Sequence, residues 1–490
     1  MSRANFLERW FGLIFCVAAS SCAAANYDGS FDPAWAGGGR IAFSNGGAIS
    51  PVFDVIVQSS GNLLLGGSVN PGGGSGTEWL AALTPGGQFV LTFGQSNGSG
   101  KTTLCTAAGS PFCGGTASWR QLKTQADGKI LLLTHTQLAR LSPTASALDT
   151  AGTAGGLGYA SLVGISINNV GGAFSAPYAF VMQPDGKVLV AGAGRYTGVS
   201  TQDDFALLRL NPDLSLDTTF NASTDGNGAT FAGGQTVAFD LGGDNIDTAA
   251  AVSLRADGRI VLIGTADTTA ASAIAIACLT ASGAIDTSCG AGTGKSSLQW
   301  PGGAFQLDDD NLIAESREIA LDRVGRVTVV ATATPAAQST TGFIAVRTNP
   351  DGSLDSTFGS GGFSYAGNFA ACGTGVIAHA MSFDSAGRIL IAGRCKNTGS
   401  NEFAVSRLRG DTGTLDTSFG IAGLSHGSFA STSSGDEAYA IALEPGGRPI
   451  IGGLTLSGSG STGVGRLTYD LIFTDPFEAA PAGCLAPNCH

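Results

Sequence analysis

The sequence predicts an all-β fold: a single seven-bladed β-propeller of four-stranded antiparallel blades, closed by the N-terminal strand joining the last blade. Three observations lead there. A hairpin phrase recurs seven times along the 490 residues. A second hairpin phrase follows it in six places. The two ends of the chain carry complementary fragments of one further unit.

The first phrase is clearest in "YAFVMQPDGKVLVAG" (178–192), where an apolar run meets a turn and a second apolar run. Its turn glycines are Gly61, Gly128, Gly186, Gly258, Gly325, Gly387 and Gly447, spaced by 58 to 72 residues. Self-similarity at a period of this size marks a repeat architecture. In Pro184-Asp185-Gly186, proline presets φ and glycine takes a left-handed position that a Cβ would disfavour. Each copy is therefore read as a hairpin of strands A and B.

The second phrase is clearest in "DFALLRLNPDLSLDTTF" (204–220), with sisters from Phe343, Phe403 and Ile274 and partial copies from Leu138 and Trp79. It supplies strands C and D, with strand D expected to begin at the aspartate of each copy. The seventh copy stops after strand C, at "VGRLTYDLIF", while "YDGSFDPAWAGGGRIAF" (27–43) holds the missing C–D turn and strand D. A closed ring accounts for both fragments and removes open sheet edges. An open solenoid would instead need capping repeats with polar outer faces. The phrases "NPDGSLDSTFG" and "QPDGKVLVAG" resemble the delta-60 repeat family of bacterial propeller-like proteins, over roughly residues 27–470. The resemblance implies export and a propeller fold, and no particular reaction or ligand.

Residues 1–25 read as a signal peptide: Arg3 and Arg9, a short apolar stretch, then Ala23-Ala24-Ala25 before the mature start. The expected organisation is signal peptide 1–25, propeller 26–473 and an irregular tail 474–490. The location is exported, secreted or at the cell surface; the periplasm, or lipoprotein processing at Cys22, are the alternatives. A formal charge of −12 without any Lys/Arg cluster argues against nucleic acid. No later stretch is long enough for a transmembrane segment, and a monomer is expected.

Eight cysteines follow the signal: Cys105/Cys113, Cys278/Cys289, Cys372/Cys395 and Cys484/Cys489. Export and an even count imply disulfides, with neighbour pairing the working hypothesis. Strand C carries Arg140, Arg209, Arg347, Arg407 and Arg466 at one repeat position. Asp149, Asp217, Asp355, Asp416 and, for the last blade, Asp32 follow at the start of the next segment. These predict an ion pair across each C–D hairpin; two unrelated repeat preferences are the alternative. Blade one lacks both partners, with Ala82 and Val90, and blade four has Cys278 and Cys289 at the arginine and phenylalanine positions.

No catalytic, cofactor or metal set is assigned. "GQSNG" around Ser96 lacks the strand-to-helix context of a nucleophile elbow, and "GQSNGSGKTT" has the wrong glycine spacing for a phosphate loop. The four histidines, His135, His379, His426 and His490, form no metal motif. The acidic runs Asp203-Asp204, Asp308-Asp309-Asp310 and Asp436-Glu437 lie in connections and read as solvated loops, with Ca²⁺ as the alternative. The long connections 94–118, 221–248 and 290–314 share one face, where an unidentified protein or glycan partner is expected. The functional expectation is a binding or scaffold module without catalysis; a hydrolase or lyase with its site in the central funnel is the alternative.

Overall fold

A computed structural model describes residues 29–469, apart from 46–48, 70–76, 95–97, 105–111, 113–118, 168–171, 197–202, 225–229, 269–271, 300–304, 307–318, 335–339, 368, 374, 398–399, 431–434 and 458–459. The signal segment, the tail, Cys105, Cys113, Cys484, Cys489 and the 308–310 acidic run lie outside the described residues. Antiparallel four-stranded sheets recur along the chain, and each sequence repeat builds one.

Repeat 1 orders Val52–Val57, Leu63–Val69, Thr77–Leu83 and Lys101–Thr103 from inside to outside. Repeats 2 and 6 repeat the pattern with Trp119–Thr124 to Tyr159–Ser161 and Gly375–Phe383 to Leu424–Gly427. Repeats 3 and 4, starting at Gly172–Met182 and Gly242–Leu254, are joined by one parallel bridge, Asp203 with Ile246. In repeat 5 the innermost edge is shared by Phe305–Gln306 and Ile319–Leu321, both on Val327–Ala333. The turn glycine of every A–B hairpin has φ between 76° and 84°, the conformation that demands glycine there.

Repeat 7 takes its outer strand from the other end of the chain. Arg40–Phe43 pairs antiparallel with Gly460–Arg466, Arg40 opposite Gly465 and Phe43 opposite Thr462. Gly29 N–H donates to the Thr468 carbonyl at 2.8 Å, and Asp32 N–H to that of Arg466 at 2.9 Å.

The aliphatic strands are buried on both faces, as stacked sheets require. Large apolar clusters join neighbouring repeats: Leu64, Leu80, Trp119 and Leu132 join repeats 1 and 2, and Phe343, Val376, Ile391 and Leu424 join 5 and 6. Phe403, Phe419 and Ile451 join repeats 6 and 7. Trp35, Val52, Leu65, Ala440 and Val464 join 7 and 1. The innermost strand of repeat 1 lies beside those of both repeat 2 and repeat 7.

The outer strand departs from the sequence expectation. The repeat aspartate opens a tight turn instead of a strand: Asp416 Oδ1 accepts the Ser418 N–H at 3.2 Å, and only single bridges such as Leu408 with Leu415 precede it. Strand D follows at Leu424–Gly427. Side-chain capping by aspartate competes with the ladder at that point. For the same reason the connections 94–118, 221–248 and 290–314 are not loops throughout. They contain the outer strands Lys101–Thr103, Gly234–Val237 and Lys295–Leu298.

Among the described residues there are two disulfides, Cys278–Cys289 within repeat 4 and Cys372–Cys395 in repeat 6, with Cα separations of 6.4 and 5.1 Å. The Cys278–Cys289 loop is short, and closing it constrains the unfolded chain by roughly 3 kcal/mol. Replacing both cysteines by alanine is expected to lower the unfolding free energy by about that amount, measured by denaturant titration. A reductant should cost the native protein about that much more than it costs the variant, which has already lost the Cys278–Cys289 bridge.

Candidate functional site

Because strands alternate in direction, A–B and C–D turns share one face, and B–C and D–A connections share the other. The turn face is held by ions. Arg140 Nε lies 2.8 Å from Asp149 Oδ2, Arg209 Nε 2.7 Å from Asp217, and Arg347 Nε 2.8 Å from Asp355. Arg407 Nε lies 2.8 Å from Asp416 and Arg466 Nη2 2.9 Å from Asp32. The guanidinium also covers the aromatic ring that follows: Arg209 on Phe220 at 4.3 Å and Arg347 on Phe358 at 4.2 Å.

Four of these arginines then reach the C–D turn of the next repeat. Arg140 donates to the Pro212 carbonyl at 2.5 Å, Arg209 to Ala281 at 3.3 Å, Arg347 to Gly410 and Arg466 to Pro85 at 3.3 Å. Trp35 Nε1 donates to the same Pro85 carbonyl at 3.0 Å. In repeat 4, where Cys278 replaces the arginine, Arg255 from the A–B turn donates to Pro350 instead. The repeat aspartate survives there as Asp286, 3.2 Å from Arg259.

Arg259 belongs to a set the sequence reading passed over. The residue after the turn glycine is basic in six copies, and in five it too approaches the repeat aspartate, as in Lys129–Asp149 at 3.0 Å and Lys187–Asp217 at 2.8 Å. Burial would raise the carboxyl of Asp217, but hydrogen bonds from Lys187, Thr219 and Arg209 hold it far below the carboxylate range. Asp355 and Asp416 are lowered in the same manner against the same burial cost. Such stability is present above the ordinary carboxylate range and is lost as pH falls through it.

The opposite half of the innermost strand carries a β-bulge in six repeats. The register with strand B slips at one position, eight residues before the turn glycine, in repeats 1, 2, 3, 4, 6 and 7. In five repeats a glycine on strand B lies against the bulge. A Cβ on Gly67, Gly192, Gly264, Gly393 or Gly453 would sit 1.8–2.0 Å from a carbonyl oxygen of the bulged strand. The bulged residues are Phe53, Arg120, Tyr178, Ala250, His379 and Tyr439. Bulges commonly re-aim a side chain beside a functional site.

Neighbouring bulge residues touch. The Tyr439 ring is 5.5 Å from Phe53 and 4.6 Å from His379. Arg120 lies over the Tyr178 ring at 4.5 Å. One residue further on, Asp54 Oδ2 accepts the Leu122 N–H at 2.8 Å and Gln121 Oε1 the Phe180 N–H at 2.6 Å, tying repeats 1 to 2 and 2 to 3. Beneath the aromatic arc, Glu437 accepts from Arg394 at 2.7 Å and from the Tyr439 hydroxyl at 2.8 Å, with His379 Nε2 at 3.4 Å. Burial opposes ionisation of Glu437, yet His379 and Arg394 bring its pKa down to about 2.

The acidic residues of this face are neutralised by neighbours or crowded together. Asp203 makes a two-pronged pair with Arg195 at 2.6 and 2.8 Å. Asp247 is buried; its Oδ2 accepts the Phe239 N–H at 2.7 Å. Desolvation, with like charge from Asp204 and Asp240, pushes its pKa up to about 6. Cys395, Glu402 and His426 place ligand-type atoms within 4.8 Å of one another. Cys395 is spent in its disulfide and offers no thiolate, which leaves His426 and Glu402 as a pair at 2.5 Å. Ser96 lies outside the described residues, and Lys101 sits on an outer strand with Nζ donating to the Ser44 carbonyl at 2.9 Å. No helix among the described residues is long and apolar enough to cross a membrane.

A family model described as a domain of unknown function (DUF5122) beta-propeller matches residues 183–220, 255–288, 325–358 and 387–419. Each matched segment begins near an A–B turn and runs to the C–D turn of repeats 3 to 6. No curated protein matches the sequence. Among solved structures, polysaccharide lyase Uly1 aligns at 11% identity over 92% of this chain and 94% of its own, with a TM-score of 0.43. Virginiamycin B lyase from Staphylococcus aureus aligns at 10% identity over 87% and 99%, with a TM-score of 0.39. The extracellular domain of a one-component system from B. thetaiotaomicron aligns at 9% identity over 86% of this chain, with a TM-score of 0.40. This chain spans 41% of that domain's length.

Two outcomes follow. Asp416→Ala strands the Arg407 guanidinium, whose side chain is 1% exposed, and should cost roughly 3–5 kcal/mol in denaturant unfolding. Adding Arg407→Met, to approach the uncharged pair of repeat 1, should recover part of that loss. Asp247→Asn removes a carboxylate whose ionised form the fold disfavours. Its melting temperature should exceed the native value at about pH 8 and approach it below about pH 3, where the native carboxyl is protonated both folded and unfolded.

Proposed function

We propose that the chain is an exported, closed seven-bladed β-propeller that binds its ligand at the axial mouth of the face opposite the turns. The succession of shared cores, including that of repeats 7 and 1, supports the ring. So does the pairing of Arg40–Phe43 with the last repeat. Export is supported by the two disulfides and by the signal-like start of the sequence.

The single observation that carries the binding reading is the bulge shared by six innermost strands. It brings Phe53, Tyr439 and His379 into one arc and Arg120 and Tyr178 into another, and the residue type there differs between copies. A shared backbone feature that presents different side chains suits a fixed scaffold carrying a binding surface. The competing reading is a hydrolase or lyase in the funnel, and it would draw on His379, Glu437 and Tyr439. Glu437 is held ionised far from the range a general acid or base uses near neutral pH.

Screening residues 26–490 against immobilised glycans and extracellular proteins tests the reading. A ligand found this way should lose at least about tenfold in affinity on Tyr439→Ala with Phe53→Ala. It should tolerate exchanges at the exposed turn-face residues Asp127 and Asp185. The opposite dependence would move the site to the turn face.

A further inference from the structure

Arg120, half-buried with its Nε enclosed, differs from the fully buried guanidinium groups among the described residues. Arg140, Arg347, Arg407 and Arg466 each face a carboxylate at under 3 Å. Arg120 has no carboxylate within ion-pair distance among the described residues. Its Nη2 meets His135 Nδ1 at 3.2 Å, its guanidinium lies on the Tyr178 ring, and its buried Nε has no hydrogen-bond partner among the described residues. Burial lowers the pKa of His135, and the Arg120 charge lowers it further. The imidazole is therefore a neutral acceptor and brings no compensating negative charge.

Holding a guanidinium away from water without a counter-ion is costly, and the cost disappears when an anion arrives. The planar fork of arginine selects a planar oxyanion, which it can meet with two parallel bonds. Partly exposed aromatic faces stand on the same collar, Tyr439 and Phe53. They suit a ligand with a flat apolar ring face beside its charge. The net charge of −12 opposes long polyanions in general, so recognition rests on one local contact.

Resting on the axial-mouth reading, we propose that Arg120, backed by Tyr178 and His135, is a carboxylate-recognition site for the acidic sugar unit of a glycan. Its bound form gives the guanidinium the partner that the free protein lacks.

The test uses the full mature chain with three probes followed by calorimetry: trigalacturonate, the neutral trigalactose, and an aspartate-rich peptide. Trigalacturonate is expected to bind and trigalactose to bind at least about tenfold more weakly, the value of one charge-assisted pair. Arg120→Gln should remove that preference, and Arg120→Lys should restore part of it. The melting temperature of ligand-free Arg120→Gln should be unchanged or raised, because an uncompensated charge has gone. A lowered melting temperature would make Arg120 a structural group and overturn the proposal, as would trigalacturonate binding that Arg120→Gln leaves intact. Preferential binding of the peptide would overturn the sugar assignment. Equal binding of both sugars, lost in Tyr439→Ala with Phe53→Ala, would overturn the proposal and leave the axial-mouth reading standing. Binding of none of the probes would overturn the proposal, and the wider screen would then decide the axial-mouth reading by itself.

Discussion

The backbone pairing of Arg40–Phe43 with Gly460–Arg466 is the contact on which the rest of the molecule depends. The two segments are separated by more than four hundred residues, so their pairing carries a large loop-closure cost. It is not made alone. The same junction buries Trp35, Val52 and Val464 together, binds Arg466 to Asp32, and joins Trp35 and Arg466 to the Pro85 carbonyl. In the other repeats the outer strand follows its neighbour along the chain; in repeat 7 the two come from opposite ends of the sequence, and only contacts join them.

Around that junction the two faces solve different problems. The turn face repeats one device: an arginine paired within its own repeat, stacked on an aromatic ring and donating to the next repeat's turn. Where cysteine replaces the arginine, a disulfide supplies the local tie and Arg255 supplies the donation. The outward link is therefore kept when its usual donor is lost. The opposite face repeats a backbone irregularity and varies the side chain on it. The bulge is the same in repeat after repeat, while its residue is phenylalanine, arginine, tyrosine, alanine or histidine. Invariance of backbone with variation of side chain separates what the ring needs from what the individual protein uses.

Most of the fold could be read from the sequence because it is written many times over. Turn glycines at regular spacing, alternating apolar runs and two half-units at the ends define hairpins and their order. Cys278 and Cys289 displaced two partnered positions at once, so their bridge was legible too. The outer strands were misplaced because the Leu-Asp-Thr-Ser-Phe phrase looks extended. Its aspartate caps a turn, and the ladder resumes several residues later. The basic residue after the turn glycine was visible in six of the seven A–B hairpins. Its approach to the aspartate of the other hairpin depends on the sheet register, which no local pattern expresses. The bulge also left a trace, the glycine closing most strand B copies, but glycine at a strand end reads equally as the start of a loop. The set of bulge residues was the least legible part. Repeats are aligned by what they share, and Phe53, Arg120, Tyr178, His379 and Tyr439 share only a position.

The most direct test of the ring is amide hydrogen exchange of the native chain, followed by mass spectrometry of peptides spanning 40–43 and 460–466. If the first and last segments are joined as described, the amides of 40–43 stay protected to the same extent as those of 450–456 and open only with global unfolding. Exchange of 40–43 at the rate of an unstructured chain, while 450–456 stays protected, would contradict the account.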